Sequence, residues 1–218
     1  MSTDSPPIDP VGPCHPPVIG QPAWDLALLY PPQGQWSEEE YLSLTDSTRW
    51  LVEYTDGKIE VLSMPTIEHQ LIVKFLLYSL DSFVRQYKLG VVLFAPTRVY
   101  MEPRKYREPD LVFNFSARHA KNSKRYYRGA DLVMEVVSDD PESHKRDWEQ
   151  KRIDYAKGQI PEYWIVDPQQ NMITVLTLEG DAYHEHGIFV LEQTATSKLL
   201  PGFALNVAEV FAAAKQDG

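Results

Sequence analysis

Leu132-Val133-Met134-Glu135-Val136-Val137 is an apolar run broken by a single carboxylate, and the fold is read outward from it. A nearly continuous run of this length suits a strand covered on both faces. A charged segment, Ser143 to Lys157, follows and stops at Gly158, so a helix is expected there. After it come Glu162 to Val166 and Met172 to Leu178, two more strands joined through Asp167-Pro168. On the other side, Asp110 to Phe115 opens directly after Glu108-Pro109 as another strand. A strand over Val91 to Phe94, continuing through Thr97 to Met101, is expected before that.

Further upstream, Thr66 can cap a long helix. In it Ile67, Leu71, Phe75, Leu76, Leu80, Phe83 and Val84 recur at the spacing of one buried face, and Gly90 falls just past its end. Trp50 to Tyr54 and Lys58 to Ser63 flank Asp56-Gly57, a pair suited to a tight hairpin. Ser37 followed by Glu38, Glu39 and Glu40 is a helix start. At the far end a hairpin-like piece near Phe189 to Thr194 precedes a short helix from Val207 to Ala214. The order predicts an α/β domain with a mixed β-sheet flanked by helices.

The 218 residues allow one domain with a sizeable core. Residues 1–34 hold more than half of the seventeen prolines and little charge, so a flexible arm is expected there, with the domain over 35–218. No apolar run is long enough to span a bilayer, and the single cysteine, Cys14, fits a cytoplasmic setting. The net charge of −10 argues against a general nucleic-acid coating protein. A local basic face is nonetheless available in Arg118 to Arg128, either as a phosphate contact or as a solvated loop. Isolated glycines exclude a phosphate loop, no Gly-x-Ser-x-Gly elbow is present, and His184 and His186 lack a third zinc ligand.

Glu135 is the most informative position. A carboxylate among apolar neighbours on a buried strand is costly to ionise unless a cation or a basic partner compensates it. If the strands of Asp110 and Glu135 pair, their side chains stand about 5 Å apart. Two such oxygen donors, completed by water and phosphate, are how Mg²⁺ is usually held. Lys151, on the following helix, would add a point charge able to orient an attacking water. Lys145 competes with it, because six residues turn a helix about 600° and leave the two lysines roughly 120° apart.

The segments Glu108-Pro109-Asp110-Leu111-Val112-Phe113 and Val133-Met134-Glu135-Val136-Val137-Ser138 resemble the PD-(D/E)xK nuclease superfamily. Asp147-Trp148-Glu149-Gln150-Lys151, Tyr155-Ala156 and Pro161-Glu162-Tyr163-Trp164-Ile165-Val166-Asp167-Pro168 bring the chain closer to the Uma-two family of restriction-endonuclease-like proteins. Trp36-Ser37-Glu38-Glu39-Glu40-Tyr41, Asp56-Gly57-Lys58-Ile59, Glu68-His69 and Leu200-Pro201-Gly202-Phe203 also match, so the resemblance covers roughly residues 36–212. The superfamily's usual lysine position, two residues after the strand acid, is Val137 here; the resemblance moves that role to Lys151.

The resemblance implies a restriction-endonuclease-like sheet and Mg²⁺- or Mn²⁺-dependent hydrolysis of phosphodiester bonds in DNA. Asp110 and Glu135 would hold the metal, with the Val136 carbonyl as a candidate third ligand. In the family a helix-borne acid or histidine often completes the site, which points to His69; Glu68 reads equally as an exposed first-turn acid. Tyr155, one turn beyond Lys151, would either buttress the lysine or serve as a core aromatic. Glu60 is a weaker candidate. The resemblance and the exposed strand pieces also imply a homodimer. The rival expectation is a nuclease-fold binding or regulatory module without turnover, acting as a homodimer; the acidic charge favours it, and the retained Asp110, Glu135 and Lys151 oppose it.

Overall fold

The computed structural model describes residues 30–48, 50–139 and 144–215. Most of the arm expected over 1–34, and Ser143 at the expected start of the later helix, lie outside the described residues. All the elements below belong to the unit running from Gln33 to Gly218.

The first helix, α1 (Glu38–Ser47), begins where the sequence places it. Ser37 Oγ accepts from the Glu40 amide at 3.2 Å, and Glu40 Oε2 accepts from the Ser37 amide at 2.8 Å, a reciprocal cap. Next come β1 (Val52–Thr55) and β2 (Lys58–Val61). Asp56 and Gly57 both take positive φ at their turn, which an Asp-Gly pair tolerates. With β4 (Val99–Glu102) and β5 (Lys105–Arg107) these strands form a four-stranded sheet ordered β2-β1-β5-β4. Tyr41, Tyr54 and Tyr106 are fully buried between α1 and this sheet, the first two stacked at 5.2 Å.

The main sheet has six strands, ordered β10-β9-β8-β7-β6-β3. Its members are β3 (Gly90–Phe94), β6 (Leu111–Phe115), β7 (Leu132–Val136), β8 (Glu162–Asp167), β9 (Met172–Glu179) and β10 (Ala182–Val190). Only β7 and β8 run parallel, and α4 (Lys151–Lys157) supplies the crossover between them. The sheet is mixed and has helices on it, as expected. One face carries α2 (Ile67–Gln86) and the terminal helix α5 (Val207–Ala212), packed on Leu111, Phe113, Leu132, Met134 and Val136. The other carries α4, packed with Val112, Val133, Val137 and Ile165. Alternation along β7 therefore assigns Glu135, which shares parity with Val133 and Val137, to the α4 side. A one-turn helix, α3 (Ser116–His119), follows β6, and β11 (Thr194–Thr196) pairs with β12 (Ala204–Asn206) near the C-terminus.

Three local expectations change. The span read as one strand, Val91 to Met101, is two strands in different sheets. The stripe of α2 that is most deeply buried is His69, Ile72, Val73, Leu76, Leu80 and Val84, whereas Ile67 is exposed. Apolar residues cover more than half of that helix, so spacing does not single out the deepest face. Lys88 (φ 55°), rather than Gly90, takes the left-handed position after α2. Gly90 is needed for another reason: a Cβ there would run into the Asn114 carbonyl on β6. No helix among the described residues is long and apolar enough to cross a membrane.

Candidate active site

Asp110 is the last residue before β6, and Glu135 lies near the end of the antiparallel β7. The register Leu111↔Met134 carries one step further to set Asp110 opposite Glu135. Both therefore face the same side, at one end of the sheet. The two are tied through the backbone: the Val136 amide donates to Asp110 Oδ2 at 2.8 Å, and the Asp110 amide donates to Glu135 Oε2 at 3.4 Å.

Lys151 comes from the first turn of α4. Its Nζ lies 2.8 Å from Glu135 Oε1, 3.1 Å from Asp147 Oδ1 and 3.9 Å from Glu53 Oε1. Lys145 is exposed, which settles the competition between the lysines. The turn ahead of α4, Arg146–Gln150, is π-helical; such insertions are common at functional sites. Tyr155 is fully buried and its hydroxyl donates to Glu135 Oε1, so it is both a core aromatic and a support for the lysine's partner. His69 arrives from the opposite layer. It reaches Asp110 because that residue stands at a strand end, and its Nε2 sits 3.1 Å from Asp110 Oδ2. Thr66 Oγ1 holds the His69 amide at 3.1 Å and fixes the first turn of α2.

Burial is the largest single influence on each of the four groups described next, though not always the deciding one. It pushes the Glu135 carboxyl up to about 8, with Lys151 opposing and Asp110 and Asp147 adding to the rise. For Lys151 burial works against the charge, but Asp147, Glu135 and Glu53 outweigh it and hold the ammonium firmly protonated. Burial likewise disfavours imidazolium at His69, yet the Asp110 carboxylate carries its value above the ordinary one. Glu108, buried beside Glu53, is pushed up to about 7.

His69, Asp110, Glu135, Val136 and Lys151 line one cavity of about 60 Å³, together with Glu108 and Asp147. Glu68 is exposed on the outer rim, and exposed Glu60 pairs with Arg146 at 3.1 Å. Glu53 and Asp147 were not singled out from sequence. Glu53 had a usable signal, an acid in the apolar stretch Leu51 to Tyr54, the same pattern that flags Glu135. Arg107 joins Glu53 to Asp154 behind the site.

The basic run lies elsewhere. It connects the end of β6 to the start of β7, whereas Asp110 and Glu135 occupy the other ends of those strands. Five residues of strand separate the two regions by roughly 17 Å. Arg118 is bound to Asp131 at 2.8 Å, and Arg125 to Asp46 at 2.9 Å and Glu39 at 3.1 Å.

The donors suit a hard divalent cation. Two carboxylates stand opposite each other across a strand pair, and burial raises the Glu135 value despite Lys151, so a further cation would favour its charged form. Among the described residues no group of three or more His, Cys, Asp or Glu side chains is arranged to hold a metal. Any further ligands would therefore be carbonyl, water or substrate oxygens.

The family described as "Putative restriction endonuclease", Uma2, matches residues 38–208. The chain belongs to the Uma2 family. The matched span contains every member of the site, from Glu53 and His69 to Lys151 and Tyr155. A crystal structure from Anabaena variabilis, described as a putative nuclease belonging to DUF820, is similar at TM-score 0.67 and 17% identity; the match covers 81% of this chain and 97% of that one. At that identity the likeness to this Uma2 chain is one of fold alone. Comparison with curated proteins gives no match.

Proposed function

We propose that the chain is a divalent-metal-dependent endonuclease that hydrolyses phosphodiester bonds of DNA in the cytoplasm. The reading is carried by the pairing of Asp110 and Glu135 at one strand end, with Lys151 against Glu135. Asp110 and Glu135, with the Val136 carbonyl, would hold Mg²⁺ or Mn²⁺. When bound, the ion would acidify water and offset charge on the phosphate. His69 orients the Asp110 carboxylate through its Nε2. Tyr155 and Lys151 donate to Glu135 Oε1, while Oε2 accepts the longer 3.4 Å bond from the Asp110 amide and is the oxygen that would meet the ion. Lys151 lines the cavity as a permanent cation, placed to orient water and to stabilise a phosphate oxygen.

The test is cleavage of supercoiled plasmid and circular single-stranded DNA with Mg²⁺ or Mn²⁺. Asp110→Ala, Glu135→Gln and Lys151→Ala should each slow cleavage by at least about 100-fold, the scale of losing an electrostatic or metal-binding group. Rates unchanged in all three variants would discard the assignment.

A second reading is favoured by Glu135 Oε1 being already compensated by Lys151 and Tyr155: a nuclease-fold module without turnover. Titration with Mn²⁺ in a calorimeter separates the two readings, since a silent scaffold takes up no metal at Asp110. Under either reading the working unit we propose is a homodimer; a monomeric mass in sedimentation would set that aside.

A further inference from the structure

Three of the four most exposed large apolar side chains among the described residues line, or adjoin in sequence a residue that lines, the two adjoining cavities of this site. They are Met64 at 88%, Ile67 at 81% and Trp50 at 63%. Met64 lines the outer cavity with Thr66, Glu68 and His69, and Ile67 is the first residue of α2. The β1–β2 register, continued through the Leu51–Leu62 contact, sets Trp50 opposite Ser63, which lines both the inner and the outer cavity. Single exposed apolar residues are ordinary, but a cluster around a functional opening marks a binding surface.

The charges around the opening are mixed. Glu60, Glu68 and Asp139 are exposed against Lys145, and Arg146 is tied to Glu60 at 3.1 Å. The basic loop stands at the far end of the strands. Outside the recess that holds Lys151, a ligand meets mixed charge and exposed apolar side chains rather than a basic surface. The acids are also recessed, with the Asp110 side chain 18% exposed and that of Glu135 4%. A flexible strand can bring a phosphate down to them more readily than a stiff duplex can.

We infer that the site engages unpaired nucleic acid, with exposed bases stacking on Trp50 and packing against Met64 and Ile67 at the mouth. Stacking on aromatic side chains is the usual grip on single strands, and it works without base-specific hydrogen bonds. This names the substrate class of the nuclease site and rests on that reading.

The experiment is fluorescence anisotropy with a labelled 20-mer, single-stranded and as a duplex of the same sequence, with Ca²⁺ replacing Mg²⁺. The single strand should bind at least tenfold more tightly than the duplex. Trp50→Ala should weaken it at least tenfold, and Trp50→Phe should keep most of the affinity. Met64→Ser/Ile67→Ser should weaken it too, and all variants should melt with the wild type. The salt slope should be shallow, at most about −1.5 on a log–log plot, corresponding to about two phosphate contacts. Equal or tighter duplex binding would overturn the inference. So would unchanged affinity in Trp50→Ala, including the case where that variant alters only association with protein. Trp50-dependent single-strand binding without cleavage would retain the inference and remove the nuclease. Trp50-independent cutting of duplex alone would do the reverse.

Discussion

Glu135 sits among Lys151, Tyr155 and Asp110 because a buried charge must be answered locally, and each answer has a measurable consequence. Lys151 is the counter-charge to Glu135, Asp147 and Glu53 together. Lys151→Met should cost about 3–5 kcal/mol in urea unfolding, because buried acids are left uncompensated. Adding Glu135→Gln should recover part of that loss. A single variant as stable as the wild type would show the lysine to be dispensable. Metal binding gives a second handle. A cation at Glu135 must displace the proton that burial holds there with a value of about 8. Mn²⁺ affinity should therefore fall as pH drops below 8, by up to about tenfold per unit, and level off above it. Calorimetry from pH 6 to 9 decides this, and a flat profile would remove Glu135 from the donor set. The sequence pointed to Glu135 because five apolar neighbours surround it. Asp147 and Glu53 carried no equal weight, since their meeting with Lys151 depends on a π turn and on another sheet.

Elements with strong local chemistry could be read in advance. The Ser37 cap, the Asp56-Gly57 turn and the apolar strands β6 to β8 are set by neighbours in the chain. Ser37→Ala should lower stability by about 1 kcal/mol, the usual worth of such a cap, as read by thermal unfolding. Gly90→Ala should cost about 1–3 kcal/mol, since the new methyl meets the Asn114 carbonyl and β3 must move off β6. If that variant unfolds with the wild type, the close approach of these strands is not structural. β5, β11 and β12 span three residues each, too few for alternation to register. Pro96 marks the break between β3 and β4 in the sequence, but both halves have strand character and only long-range pairing assigns them to separate sheets.

Over the whole molecule, charge is arranged against a simple nucleic-acid footprint. The chain carries a net charge of −10, and its basic loop lies at the opposite end of β6 and β7 from the acids. A strand lying across the site need not touch that loop. Lys121→Glu/Lys124→Glu should therefore change the initial rate of cleavage less than twofold, in contrast to the changes proposed at Asp110, Glu135 and Lys151. A tenfold loss would mean that the substrate spans the full length of the sheet. Only the fold separates these regions: in sequence the basic run lies between the two acids, whereas in space the antiparallel turn of β6 into β7 carries it away.

The chain order alone determined most of the longer segments, the Ser37 and Thr66 caps, the Asp56-Gly57 turn, the mixed α/β class, and the presence of an acid that burial makes expensive. Tertiary structure decided which layer Glu135 faces, why Lys151 rather than Lys145 meets it, how His69 reaches Asp110 from the other side, and where the basic loop points. The physical reason is register. Side chains alternate with a period of two, so a shift of one residue in β6 against β7 would turn Asp110 and Glu135 to different faces, and that alignment is set by packing across the whole sheet.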